Sequence, residues 1–251
     1  MIHIIDIETV KKIAQEAGDA IMKIYTKDFH IEYKDDSSPL TEADIKANEI
    51  ICSSLFKLYP NIPILSEENK IPEYKTRKNW EYYWCIDPID GTKEFIKKNG
   101  EFTVNIALIH KNSPILGVVY APALNGMYWA LQGKGAFFNG EKLPLKINSN
   151  KKEKLLVVVS KSHLSPQTQV FIDNLDTKEV EQLSVGSSLK LCMVAEGSAD
   201  IYPRLAPTTE WDTAAADAIV RESGKMSYQF DTEIPLVYNK ENLLNPWFVV
   251  K

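Results

Sequence analysis

The chain has 251 residues, 44% of them hydrophobic and 25% charged, with a formal net charge of −5 at neutral pH. This globular balance suits one large domain or two modest ones. The acidic sign argues against a groove for a nucleic-acid polymer, and no apolar run of about 18 residues offers a membrane span.

The N-terminal stretch MIHIIDIETVKKIAQEAGDAIMKIY carries Asp6 and Glu8 where an export signal needs a basic start and an apolar run. Its Val10, Ile13, Ala14, Ala17, Ile21 and Ile24 recur at helical spacing and predict an amphipathic helix. After the polar segment KDDSSPLTEAD comes a second amphipathic run, from Ala43 to Tyr59, ended by Pro60 and Pro63. IPILSEEN reads as a short strand finishing in acids, and YYWCIDPID repeats that form. FTVNIALIH, SPILGVVYAP and GMYWALQ follow with only turn residues between them, so they are expected to be antiparallel neighbours. QGKGAFFNGEKLPL adds glycine turns and one more short strand.

Around INSNKKEK, at 147–154, the composition becomes polar and basic, which marks a candidate boundary between a domain of residues 1–147 and one of residues 148–251. Beyond it strand and helix alternate: LLVVVS, QTQVFIDNL, EQLSVGS, SSLKLCMVAEG, ADIYPR, and EWDTAAADAIVRES closed by Gly224. The expected fold class is α/β, an antiparallel N-terminal sheet flanked by helices with a smaller C-terminal α/β unit. Cys52, Cys85 and Cys192 lie far apart in apolar surroundings, without CxxC spacing. They predict buried thiols in a reducing cytoplasm, and no zinc centre.

The chemistry gathers at WCIDPIDGTKEF. Pro88 keeps Asp87 out of the helical region, and Gly91 turns the chain directly after Asp90. Such a turn can aim two carboxylates and the Ile89 carbonyl at one point, a hard oxygen set that suits Mg²⁺. The other reading is a solvated turn whose acids cap the next element. The five fixed residues of D-P-x-D-G-T arise by chance in about one chain in ten thousand of this length, which favours the metal reading. Glu67 and Glu68 end the IPIL strand, and Asp212 opens the TAAADAIV helix. Asp44 sits in Thr41-x-x-Asp44, which also reads as a plain helix start. All are acids at element ends, where a strand-based cleft opens.

SEE at 66–68, DPIDGT at 87–92 and WDTAAADA at 211–218 resemble the three metal-site motifs of the inositol monophosphatase superfamily, and GKGAFFNG is similar to its downstream glycine hairpin. DGTKEFIKKNGEFTVNIALI, PILGVVYAP, VGSSLK, VAEG and YPR resemble more closely its branch of bacterial CysQ-type 3'(2'),5'-bisphosphate nucleotidases. The likeness runs over nearly the whole chain and is loosest from Asn139 to Lys154.

That resemblance implies a layered αβαβα sandwich of the sugar-phosphatase type. It implies two or three Mg²⁺ held by Glu67, Asp87, Asp90, Asp212 and the Ile89 carbonyl. Gly91 and Thr92 would contact the scissile phosphate, together with Glu67, Ile89, Asp90 and Asp212, while Asp44, Thr92 and Glu67 direct the attacking water. The implied reaction is lithium-sensitive, in-line hydrolysis of 3'-phosphoadenosine 5'-phosphate to AMP and phosphate in sulfate assimilation. A cytoplasmic site is expected, with a place at the inner membrane's cytoplasmic face left open. For the second phosphate, Ser187, Ser188, Lys190 and Arg204 are the expected contacts, with Tyr202 and His163 behind them. An inositol or sugar monophosphatase is the alternative enzyme, and a non-catalytic nucleotide or metal sensor on the same scaffold is the alternative from another class. The sequence leaves the oligomeric state open.

Overall fold

The computed structural model describes residues 5–27, 31–33, 39–148, 153–162 and 164–251. Helix α1 spans Ile7–Tyr25, capped by the Asp6 carboxylate, which accepts from the Glu8 amide at 3.2 Å and the Thr9 hydroxyl at 2.6 Å. Val10, Ile13, Ala14, Ala17 and Ile21 are buried along one face, as the spacing predicts, and Ile24 is half-buried. Short strands β1 (Ile31–Tyr33) and β2 (Pro39–Thr41) pair antiparallel, then α2 runs over Glu42–Leu58 beside α1.

A seven-stranded sheet follows: β3 (Ile64–Ser66), β4 (Tyr82–Asp90), β5 (Thr103–His110), β6 (Ser113–Ala121), β7 (Gly126–Leu131), β8 (Gly135–Phe138) and β9 (Glu141–Lys142), adjacent in that order. From β4 to β9 every pairing is antiparallel. β3 lies parallel to β4, so the sheet is mixed at its edge. The chain between them, with helix α3 (Tyr74–Arg77), supplies the crossover that a parallel pair requires.

Both faces of the sheet are covered. Trp84, Ile86, Ile106 and Leu108 point toward α1 and α2, and Tyr83, Cys85, Ala107 and Ile109 toward the opposite helix layer. That layer holds α6 (Leu189–Glu196) and α7 (Glu210–Glu222). The small residues of TAAADA let α7 come down onto β6: a Cβ on Gly117 would sit 2.1 Å from the Ala215 carbonyl oxygen. Beyond α6 and α7 lie β10 (Lys154–Ser160) and β11 (Glu179–Val185), a parallel pair joined through α5 (Pro166–Asp173). There also lie β12 (Tyr202–Arg204), β13 (Ser227–Gln229) and β14 (Phe248–Val250), ordered β12-β14-β13. Val158, Tyr202 and Phe248 face α6 and α7, whereas Val157, Val159 and Val249 pack with Ile172 of α5. The layers are thus helix, sheet, helix, sheet, helix. Among the described residues no helix is long and apolar enough to cross a membrane.

Candidate active site

In a regular strand residues three apart face opposite sides, so Asp87 and Asp90 of β4 should diverge. They do not, because the β4–β5 register slips between them: Asp87 pairs with Asn105 but Asp90 with Thr103. One extra residue on β4 forms a bulge that reverses the alternation and turns both carboxylates into one cavity. The Asp87 carboxylate braces the bulge by accepting from the Ile89 amide at 3.1 Å. Gly91 follows at φ +93°, and a short helix α4 (Thr92–Ile96) starts from it.

The cavity measures about 250 Å³ and is lined by Glu67, Asp87, Ile89, Asp90, Thr92 and Asp212, among others. Glu67 comes from the end of β3, where its amide donates to the Ile86 carbonyl at 3.2 Å. Carboxylate oxygens of Glu67, Asp87 and Asp212 lie within 4.8 Å of one another. Glu68 is not on the wall.

Asp44 and Asp212 both cap helices; Asp212 also lines the cavity, and Asp44 reaches it through Thr92. Asp44 closes a capping box at α2, taking the Thr41 amide at 2.8 Å and hydroxyl at 2.6 Å on one oxygen. Its other oxygen lies 3.2 Å from the Thr92 hydroxyl, which is also 3.2 Å from the Ile89 carbonyl. Asp212 does the same at α7, accepting from the Thr209 amide at 2.8 Å and hydroxyl at 2.9 Å.

Burial and mutual repulsion raise these acids. Burial first, then Glu67 and Asp90, push Asp87 well above the usual carboxylate range. Burial and Asp212 lift Asp90 to about 7, while burial and Glu67 lift Asp212 to about 6. Burial also raises Asp44, against the hydrogen bonds from Thr41. Bringing in a divalent cation relieves this repulsion. The donors are carboxylate and carbonyl oxygens, hard ligands with no histidine or thiol among the described residues of the wall, so the residues fit Mg²⁺.

Two cations share the cavity with these acids. Lys190 and Arg204 are both buried. Burial lowers Lys190 to about 8 despite the neighbouring Asp90. Its Nζ donates to the Ser187 carbonyl and lies 5.6 Å from the Tyr202 ring centre. Arg204 donates to the Pro207 carbonyl at 2.7 Å, and its buried Nε has no hydrogen-bond partner among the described residues. Ser187, at φ +48°, lines the cavity.

Ser188 departs from the expected substrate contact. Its hydroxyl turns away from the cavity, 2.8 Å from the Thr103 hydroxyl and donating to the Asn105 side chain at 2.9 Å. Only its amide reaches the site, where it bonds Asp90. His163 lies outside the described residues. Sequence reasoning missed Glu94, Ser160, Ser162, Thr208 and Phe248 on the wall. Ser160 and Ser162 belong to the SKSH stretch, which is a usable signal, whereas nothing local marks Glu94.

Residues 6–246 match the model of the inositol monophosphatase family. The chain is 46% identical over 247 residues to the 3'(2'),5'-bisphosphate nucleotidase CysQ of Escherichia coli strain K12, spanning 97% of this chain and 98% of that protein. It is 39% identical over 245 residues to the protein of that name from Haemophilus influenzae, spanning 95% and 89%. Among solved structures, CysQ from Bacteroides thetaiotaomicron superposes with a TM-score of 0.87 at 44% identity, covering 97% of this chain and 96% of that one. The Thermotoga maritima IMPase gives 0.79 at 27% identity, covering 96% and 89%.

Proposed function

The chain belongs to the inositol monophosphatase family, and we propose that it is a Mg²⁺-dependent 3'(2'),5'-bisphosphate nucleotidase. It converts 3'-phosphoadenosine 5'-phosphate to AMP and phosphate. The observation that carries this reading is one cavity lined both by the acids Glu67, Asp87, Asp90 and Asp212 and by buried Lys190 and Arg204. The acids suit metal and the transferring phosphoryl group, and the cations suit a second phosphate. The full-length likeness to bisphosphate nucleotidases supports the same substrate class.

Glu67, Asp87, Asp90, Asp212 and the Ile89 carbonyl would hold two or three Mg²⁺. Bound there, the ions supply Lewis-acid stabilisation of the phosphoryl charge and lower the pKa of a water. Thr92 donates a hydrogen bond from its hydroxyl to Asp44, leaving its oxygen to accept one from the attacking water and to relay the proton that the water sheds. Asp44, raised by burial and held by Thr41, is poised to take that proton. Gly91 leaves room beside the scissile phosphate. Lys190, Arg204 and Ser187 hold the 5'-phosphate, so attack comes in line with the departing 3'-oxygen. Arg204 Nε gains the partner it lacks.

A phosphate-release panel tests this. The 3',5'-bisphosphate of adenosine should exceed inositol 1-phosphate in kcat/KM by at least tenfold, with activity abolished by EDTA and inhibited by Li⁺. Faster hydrolysis of inositol 1-phosphate would favour the monophosphatase, and no turnover of either would favour a sensor.

A further inference from the structure

Two glutamates from the segment just after the metal turn reach across to the second half of the molecule. Glu101 accepts the Gly186 amide at 2.7 Å on one oxygen and pairs with Lys161 at 2.9 Å through the other. Glu94 accepts the Ser162 hydroxyl at 2.6 Å. Lys161 and Ser162 follow β10, and Gly186 follows β11, so both loops at the ends of that parallel pair are fastened to α4 and the α4–β5 connection.

The fit there is tight. A Cβ on Gly186 would lie 2.7 Å from the Glu101 carbonyl oxygen and 2.8 Å from Glu94 Cγ. A Cβ on Gly91 would lie 3.0 Å from that same carbonyl and 3.3 Å from Ser187 Cβ. Glu101 is therefore the spacer between the turn that carries Asp90 and the turn that opens α6. The second turn needs holding, because Ser187 sits in the left-handed region, where a non-glycine residue is strained. Glu101 itself is not on the cavity wall.

We propose that Glu101 is a positioning residue that sets the span between the scissile-phosphate seat and the cations for the second phosphate, and so enforces preference for a bisphosphate. This rests on the function proposed above. One ribose limits the span between the two phosphates of the substrate, so Lys190 meets the second only while its helix is held within that span of Asp90. A displacement of about 1 Å is enough to lose such a contact. Lys161 neutralises the Glu101 carboxylate, which would otherwise repel the anion nearby.

The test compares adenosine 3',5'-bisphosphate with adenosine 3'-monophosphate, which shares the scissile ester and lacks the second phosphate. E101A should lower kcat/KM for the bisphosphate by about 10- to 100-fold, mostly through KM. The monophosphate should change by less than about threefold, since it has no second phosphate for Lys190 to meet. E101Q keeps an acceptor for the Gly186 amide and should stay within about threefold on both. E101D keeps the charge but loses reach, and should show the selective loss in smaller form, about three- to tenfold. Should E101A fail to fold, E101D decides. A parallel fall on both substrates, or an unchanged preference in E101A and E101D, overturns the proposal. A wild-type enzyme that does not favour the bisphosphate removes the functional reading itself; one that does, with variants that keep its preference, removes only Glu101's role.

Discussion

Stripping the protein of divalent cations with EDTA leaves Asp87, Asp90 and Asp212 facing one another, with Lys190 the close counter-charge to Asp90. Asp90 is lifted from 3.8 to about 7, by burial first and Asp212 second. A raised acid holds its proton longer in the folded chain than in the unfolded one. The stability it contributes is complete below about pH 3.8 and is lost as pH rises through about 7. Roughly three pH units at about 1.4 kcal/mol each make about 4 kcal/mol for Asp90. Asp212 titrates against the same charges, so its share is not added on top.

In a chain of this size about 1 kcal/mol moves Tm by roughly 2–4 °C. Metal-free protein should therefore melt roughly 8–16 °C lower at about pH 7.5 than at about pH 4 on this account. Lys190, lowered to about 8, works oppositely: its contribution grows from about pH 8 upward, above the window scanned. Asp90→Asn removes Asp90's share of the titration and leaves that of Asp87, Asp212 and Asp44. Metal-free D90N should match wild type near pH 4 and exceed it near pH 7.5, while excess Mg²⁺ should raise the wild-type Tm more at the higher pH. Calorimetry in EDTA and in Mg²⁺ measures all of this. Parallel Tm-against-pH curves for wild type and D90N in EDTA would refute the reasoning.

Asp44→Asn should cut kcat by about 10²- to 10⁴-fold with little change in KM, because it removes proton acceptance and leaves the Thr41 cap acceptor in place; steady-state kinetics at saturating Mg²⁺ reads it. Lys190→Met should raise KM for the bisphosphate by about 10- to 100-fold, the worth of a charge-assisted contact, and leave adenosine 3'-monophosphate far less affected. Ser188→Ala should act on folding and not on substrate recognition. It breaks the buried link to Thr103 and Asn105 at about 1–3 kcal/mol, so Tm falls by a few degrees while the bisphosphate-to-monophosphate preference holds.

Periodicity and composition carry much of this fold. The α1 stripe, the helix spacing of α7 and the meander of β5, β6 and β7 are local patterns, and local patterns survive into the tertiary structure. The parallel edge strand β3 is different. Ile64–Ser66 is too short to show which neighbour it chooses, and the choice depends on a crossover that packs elsewhere. β1, β2, β13 and β14 are three residues each, too short for alternation to register. Within the site, the motif strings mark the acids but not the bulge that turns Asp87 and Asp90 the same way, which is a property of pairing with β5. Ser188 looks like Ser187 in sequence and faces the opposite way, because Ser187 takes a left-handed backbone conformation. Glu94 and Glu101 act on residues 68 and 60 positions away, beyond any local signal.

A titration of Mn²⁺ binding, followed by electron paramagnetic resonance or calorimetry, tests the gathering of these acids most directly. It needs wild type, E67Q, D87N and D212N, whose changes lie in β3's end, β4 and α7. Each substitution should weaken the same binding step by at least about tenfold, since each removes one oxygen ligand from a shared ion. A variant that binds Mn²⁺ as wild type does would mean that its segment holds no part of the metal.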